Sequence, residues 1–337
     1  MRTARPGDKN LITDVSGLSV GCAHDVGART GVTVIMPSQR AVCAVAVAGG
    51  GPGTRETDAL SADRLVDAVD AVVLSGGSVY GLAAADAVTA AMGAEAKGFA
   101  LMDLPGVPRS PVVPSAILYD LANGGDKAWA DVPPYHALGR QAYADCQVNK
   151  GNSFQLGKSG AGYGARAGAE EGGLGSASVI GADGVTVGAL VAVNAFGSTR
   201  MPGSDAFWAW PYEINQEFGG ARPPADFALD PDDWGQAKAN PAAMHRANTT
   251  IACIATDVAL TPAQASRVAQ MALSGLSRSI RPVFAPFDGD VVFVLSTATR
   301  SLDLPEPMAI ARIGELAAGT LARAVARGVH EASLDKS

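Results

Sequence analysis

Few residues in this chain of 337 are arranged by type and spacing for familiar chemistry. The four histidines, His24, His136, His245 and His330, form no HxH or HExxH spacing. They read as solvated or hydrogen-bonded side chains rather than zinc ligands. The four cysteines, Cys22, Cys43, Cys146 and Cys253, contain no CxxC pair and read as free buried thiols of a reducing compartment. Ser78 sits in a strand–turn–helix context, but the position two residues on, which a nucleophile elbow fills with glycine, holds Tyr80. Gly160-Ala161-Gly162-Tyr163-Gly164 is a tight-turn device with only a loose likeness to a dinucleotide loop, since no clear strand precedes it.

Thr249 is the informative position. With Asn248 before it, it opens a β-type run at 249–256, directly after a long irregular stretch. Were the 248–249 peptide bond cut, Thr249 would carry a free α-amine beside its hydroxyl. Such an amine has a pKa of about 7.7–8.0, suited to taking up a proton near neutrality. A terminal amine is also one established means of activating a threonine hydroxyl as a nucleophile. An Asn-Thr pair at the start of a strand is equally an ordinary turn, and spacing alone does not choose. Asn248-Thr249-Thr250 also fits the glycosylation sequon, a match that is idle without a secretory signal.

The elements that must hold this position follow from periodicity. Residues 32–36, 42–48, 71–74 and 185–193 are β-type runs bounded by turn residues. Residues 58–71 and 81–92 are predicted helices, the second alanine-rich and apolar nearly all round, hence buried. Gly49-Gly50-Gly51-Pro52-Gly53 is a loop by composition, and 157–175 is the densest glycine region. Residues 199–247 hold Trp208, Trp210 and Trp234 and the cluster Asp230-Pro231-Asp232-Asp233, and read as a long surface excursion. Thr261-Pro262-Ala263-Gln264 is a capping box with proline at the first helical position. Residues 284–295 are predicted as two strands around the turn Phe287-Asp288-Gly289-Asp290, and 305–329 as a final amphipathic helix. Mixed strands and buried helices point to layered α/β packing.

Composition narrows the class. Hydrophobic residues make up 47% and charged residues 18%, which excludes a disordered chain. Glycine, at 40 residues without a Gly-X-Y period, implies many tight turns and excludes collagen. A net charge of −7 without a basic tract argues against nucleic acid or an anionic membrane as partner. The first residues lack an apolar signal segment, and no window offers 18 uninterrupted apolar residues, so a soluble cytoplasmic protein is expected.

A resemblance then joins Thr249 to other residues. Asn248-Thr249-Thr250-Ile251 followed by Asp288-Gly289-Asp290 resembles the nylon-oligomer hydrolase branch of the β-aminopeptidase/D-aminopeptidase family, whose members are self-cleaving N-terminal nucleophile hydrolases. Gly17-Leu18-Ser19-Val20-Gly21, Gly76-Gly77-Ser78-Val79-Tyr80-Gly81-Leu82, Ser115-Ala116-Ile117-Leu118-Tyr119-Asp120, Gly160-Ala161-Gly162 and Asn194 match in the family's order, across roughly 11–325.

The resemblance implies an α/β fold, a layered αββα sandwich with the topology of the aminopeptidase/ornithine acetyltransferase group. It implies one domain over 1–337, cut between Asn248 and Thr249 into an α chain, 1–248, and a β chain, 249–337. Thr249 would be the nucleophile, and Asn194 the donor to a developing oxyanion. Asp288 and Asp290 would accept hydrogen bonds from the Thr249 amine and hydroxyl, and Tyr119 would contact substrate or intermediate. A plain Asp-Gly hairpin turn is the other reading of the acidic pair. The implied activity is hydrolysis of small amides or peptides, including those of D-, β- or ω-amino acids, with neither cofactor nor metal. The implied assembly is a homo-oligomer, commonly a tetramer of αβ units. Two other classes share the features: an acyltransferase of ornithine acetyltransferase type, and an uncleaved paralogue acting as a scaffold.

Two features depart from the family's pattern. A lysine common in the glycine-rich stretch is absent, and Ala165-Arg166-Ala167-Gly168-Ala169-Glu170 stands in its place. That bears on processing and on tuning of the amine, because arginine cannot serve as a neutral base. The excursion at 199–247 is idiosyncratic and bears on specificity.

Overall fold

β-Branched runs separated by glycine-rich turns build two five-stranded sheets in the computed structural model, which describes residues 4–238, 249–301 and 304–334. The strands are β1 (Leu18–Asp25), β2 (Thr30–Pro37), β3 (Val42–Val47), β4 (Thr54–Arg55), β5 (Val72–Ser75), β6 (Ser115–Ile117), β7 (Arg166–Ala167), β8 (Glu170–Glu171), β9 (Gly173–Ile180), β10 (Thr186–Asn194), β11 (Thr249–Val258) and β12 (Val291–Arg300). The helices are α1 (Ala83–Ala94), α2 (Tyr135–Asn149), α3 (Pro262–Ser277) and α4 (Glu306–Leu334). The first sheet has the order β1-β2-β5-β6-β4 and the second β3-β12-β11-β10-β9, with β7 and β8 a separate ribbon. Pairings are antiparallel except β5 with β6 and β11 with β12.

Three apolar layers stack these parts. The middle layer joins the sheets: Val20, Ile35 and Leu74 of the first meet Leu190, Ile251 and Phe293 of the second. Outside the first sheet, Val32, Val34 and Val73 pack on α1 and α2 through Ala84, Val88, Leu138 and Cys146. Outside the second, Val191, Ile254 and Val294 pack on α3 and α4 through Val268, Leu276, Leu321 and Val325. The order helices–sheet–sheet–helices is the expected αββα sandwich. Because side chains alternate along a strand, β11 sends Ile251, Cys253 and Ala255 to one layer and Ala252 and Ile254 to the other. Burial on both faces explains its unbroken apolar stretch at 251–255, at about 1.5–3 kcal/mol per large side chain. Glycine brings the layers close: a Cβ on Gly21 of β1 would meet the backbone of α2 at Ala142 and Cys146.

Several expected elements form as read. The capping box of α3 is present in both directions, Gln264 N donating to Thr261 Oγ1 (3.3 Å) and Thr261 N to Gln264 Oε1 (2.8 Å). The described part of the excursion, 199–238, is irregular apart from the 3-10 turn Trp210–Tyr212. It is firmly anchored, for Phe207 and Phe218 lie in the core beneath α4. Glu217 meets Arg323 of α4 at 2.6 Å, and Arg323 also donates to Ser178 O and Asn10 Oδ1. Among the described residues no helix is long and apolar enough to cross a membrane. The cysteines are free; Cys43, Cys146 and Cys253 are buried and Cys22 only partly so.

Two predicted elements are corrected. Residues 58–71 are not a helix; only Asp58–Leu60 makes a 3-10 turn. Val69 pairs through both backbone groups with Ala41, and Asp70 pairs with Val112 through its backbone N and its buried carboxylate. Those extended pairings outweigh the helical spacing and leave Leu65 in solvent. Residues 284–295 do not form two strands either. Only β12 is a strand, and 284–290 is an irregular loop whose carboxylates bind its own amides.

Candidate active site

The strand register brings the key residues together. Asn194 ends β10 and Thr249 begins β11, and the two are directly paired. On the other side of β11, β12 runs parallel and starts with Val291 opposite Ile251. The loop 284–290 therefore reaches the sheet edge where Thr249 lies. Thr249, Asn194, Asp288 and Asp290 are all buried there, each at most 3% exposed. Asn248 lies outside the described residues.

The acidic loop is fixed by its own main chain. Asp290 Oδ1 accepts from Thr250 N at 2.7 Å and Oδ2 from Phe284 N at 3.1 Å. Asp288 Oδ2 accepts from Ala285 N at 3.2 Å. The glycine loop of β3 closes over it, Gly51 N donating to Asp288 O (2.7 Å) and Ala48 N to Asp290 O (2.9 Å). Gly289 lies against Thr249: a Cβ there would stand 2.9 Å from Thr249 Oγ1. Burial holds both carboxyls above the usual carboxylate range, and the charge of Asp288 adds to the rise at Asp290.

Asn194 is oriented by four contacts. Its Nδ2 donates to Tyr119 O at 2.9 Å, and its Oδ1 accepts from Arg166 N at 2.9 Å. Lys238 Nζ donates to Asn194 O at 3.1 Å and to Oδ1 at 3.4 Å. With Oδ1 taking these donors, the carboxamide can stand only one way round. Tyr119 thus meets Asn194 through its backbone, while its partly exposed side chain lines the cleft. The turn behind it is pinned by Asp120, which accepts from Thr30 Oγ1 (2.6 Å) and Gly77 N (2.7 Å). That contact joins two of the matched motifs, Gly76-Gly77 and Tyr119-Asp120.

The cleft above these residues has a volume of about 500 Å³ and is lined by Tyr119, Asn123, Arg166, Gly168, Asn194 and Lys238, among others. Small-molecule sites usually have volumes of about 300–1,000 Å³. Of the residues here, Lys238 escapes a reading by sequence. Its one signal is to be the only lysine within 199–247. The Arg166 side chain is exposed and turned to Ala169 O (3.0 Å), so only its backbone N reaches Asn194. An amine reaches this spot, but from the excursion. The excursion's end is docked by Lys238 N on Phe196 O (2.9 Å), Ala169 N on Gln236 O (2.7 Å) and a ring contact of Trp234 with Phe196. Phe196 in turn meets Phe287 of the acidic loop, ring centroids 4.6 Å apart.

Known proteins share this architecture. The model for Peptidase family S58 matches residues 10–335. An uncharacterised aminopeptidase of Mycobacterium leprae is 40% identical over 339 residues, spanning 94% of this chain and 89% of its own. A 6-aminohexanoate-oligomer endohydrolase of a Kocuria species is 31% identical over 310 residues, with 89% and 78% covered. A solved L-aminopeptidase D-Ala-esterase/amidase from Ochrobactrum anthropi, described as a variant of the Ntn hydrolase fold, superposes with a TM-score of 0.66 at 22% identity, covering 97% of this chain and 88% of that one. The αββα sandwich is accordingly an Ntn-hydrolase-like fold.

Proposed function

The chain belongs to peptidase family S58, a family of hydrolases, and from that premise we propose that it is a self-processing amidohydrolase with Thr249 as N-terminal nucleophile. The observation that carries the reading is the register pair Asn194–Thr249 with Asp288 and Asp290 at the same sheet edge.

In the precursor, Thr249 Oγ attacks the carbonyl carbon of Asn248. The C–N bond breaks, the acyl group moves to oxygen as an ester, and the nitrogen gains a proton to become the α-amine. Water hydrolyses the ester and leaves fragments 1–248 and 249–337. In the mature enzyme the α-amine takes the proton of Oγ as Oγ attacks a substrate amide. The second N–H of Asn194 Nδ2, the first being on Tyr119 O, donates to the oxyanion. The ammonium returns its proton to the leaving amine, and water releases the acyl group from Thr249. Asp288 and Asp290 support the charged amine from the loop. The names of the relatives, an aminopeptidase, an oligomer endohydrolase of 6-aminohexanoate and an L-aminopeptidase D-Ala-esterase/amidase, suggest small amides with a terminal amine, including D- or ω-amino acid units.

Denaturing intact mass on the purified protein and on Thr249→Ala tests this. Fragments of about 25 and about 9 kDa, as residue shares of 34.1 kDa, are expected for the wild type only. Hydrolysis of β-, D- and ω-aminoacyl amides should depend on Thr249. A whole chain in both samples, or turnover that survives in Thr249→Ala, would overturn the reading.

A further inference from the structure

We propose that Lys238 is a positioning residue of this hydrolytic site, its amine locking the Asn194 carboxamide and bringing the positive charge that the glycine-rich stretch around Arg166 does not deliver. The inference rests on the reading of Thr249 as nucleophile. It begins with the contacts at Asn194 O and Oδ1, which are the backbone and side-chain oxygens of the residue paired with Thr249. A donor on Oδ1 opposes the flipped carboxamide, which would aim oxygen instead of N–H at an oxyanion.

The lysine is placed by the fold and does not swing in from the surface. Its own amide is bonded to Phe196 O, its neighbour Gln236 holds Ala169 N, and Trp234 packs edge-on against Phe196. Among the described residues, the charged groups facing the amine include Asp288, from the loop before β12, and Arg166, from β7. Asp290 stands behind Asp288. Burial of the amine pushes its pKa down to about 7; the carboxylate of Asp288 opposes that fall and Arg166 adds to it. A cation here favours the ionised acidic pair that an N-terminal ammonium needs. The guanidinium of Arg166 lies on Ala169 O, and of the two cations it is Lys238 that acts on Asp288.

The consequences separate positioning from mere packing. In Lys238→Met, kcat should fall about 10- to 100-fold with KM little changed, because the oxyanion contact acts in the transition state. The acid limb of the kcat/KM profile should move up by roughly one pH unit, since Asp288 loses its neighbouring cation. Lys238→Arg, which keeps charge and donors, should return the limb to its wild-type position and part of kcat. The experiment is steady-state pH profiling of wild type, Lys238→Met and Lys238→Arg on one aminoacyl amide, with fragment mass and melting curves recorded for each. A folded Lys238→Met with wild-type kcat and limb overturns the inference. So does a loss that is uniform in pH and equal in both variants. A wild type that is uncut, or whose turnover survives Thr249→Ala, overturns the Thr249 reading and this one together. A Thr249-dependent wild type matched by Lys238→Met removes the Lys238 role alone.

Discussion

Gly289→Ala places a methyl group where the acidic loop and Thr249 already touch. The added Cβ would stand 2.8 Å from Gly51 O, 2.9 Å from Thr249 Oγ1 and 3.2 Å from Thr249 Cγ2, against 3.4–4 Å for ordinary contact. About half an ångström must be found. Gly289 is not in the left-handed region, so its backbone accepts alanine. Gly51 cannot yield easily, because its amide is bonded to Asp288 O at 2.7 Å and Gly50 N to Ala285 O at 3.2 Å. The Thr249 side chain is the part that gives way. Overpacking of this size costs about 1–3 kcal/mol, a fall in Tm of roughly 1–4 °C for a chain of 337 residues. Misplacing a reacting atom by about 1 Å can cost on the order of 10²-fold in rate. Half that displacement predicts a loss of roughly 10- to 100-fold in turnover, with slower appearance of the two fragments. Hydrolysis of an aminoacyl anilide beside a circular-dichroism melt reads both. A variant that melts within this range yet turns over at the wild-type rate would refute the placement of Thr249 Oγ1 as the reacting atom.

Three further outcomes follow from contacts already described. Asn194→Ala should lower kcat by about 10²–10³ with KM within a few-fold of wild type, in steady-state kinetics on the same anilide. Equal loss in Asn194→Asp is expected as well, because a carboxylate has no N–H to donate. Arg323→Met should destabilise the protein by about 3–5 kcal/mol in a denaturant melt, since it leaves the buried Glu217 carboxylate without the ion pair at 2.6 Å; a shift under 1 kcal/mol would show that Asn10 and Arg327 suffice.

The sequence reveals elements better than encounters. The period of β11, the Thr261 cap and the α4 stripe are local properties, and each is found where it is read. The loop at 284–290 is misread because Asp-Gly-Asp is good turn chemistry for a hairpin, while here both carboxylates turn inward onto Ala285, Phe284 and Thr250 amides. The false helix at 58–71 has the right spacing, but Val69 and Asp70 find extended partners 28 and 42 residues away, which no window of local sequence contains. Asn194, Asp288 and Asp290 are picked out only by the family resemblance, since their meeting with Thr249 is a matter of sheet register. Lys238 is 44 residues from Asn194 and belongs to a stretch without periodicity, so nothing local marks it.

With β11 and β12 inside the second sheet, the proposed cut would change the order of the folding reaction. A cut before Thr249 assigns β11, α3, β12 and α4 to one fragment, and their neighbours β3 and β10 to the other. The fragments share two sheet seams and two of the three apolar layers, so they would stay one body after such a cut. Unfolding then releases two molecules, and re-forming the sheet becomes second order in protein. The uncut chain refolds at a rate independent of dilution; the cut one refolds more slowly the more dilute it is. Self-cleavage would thereby make heat damage depend on concentration and history, a property of the covalent chain that the folded shape does not display.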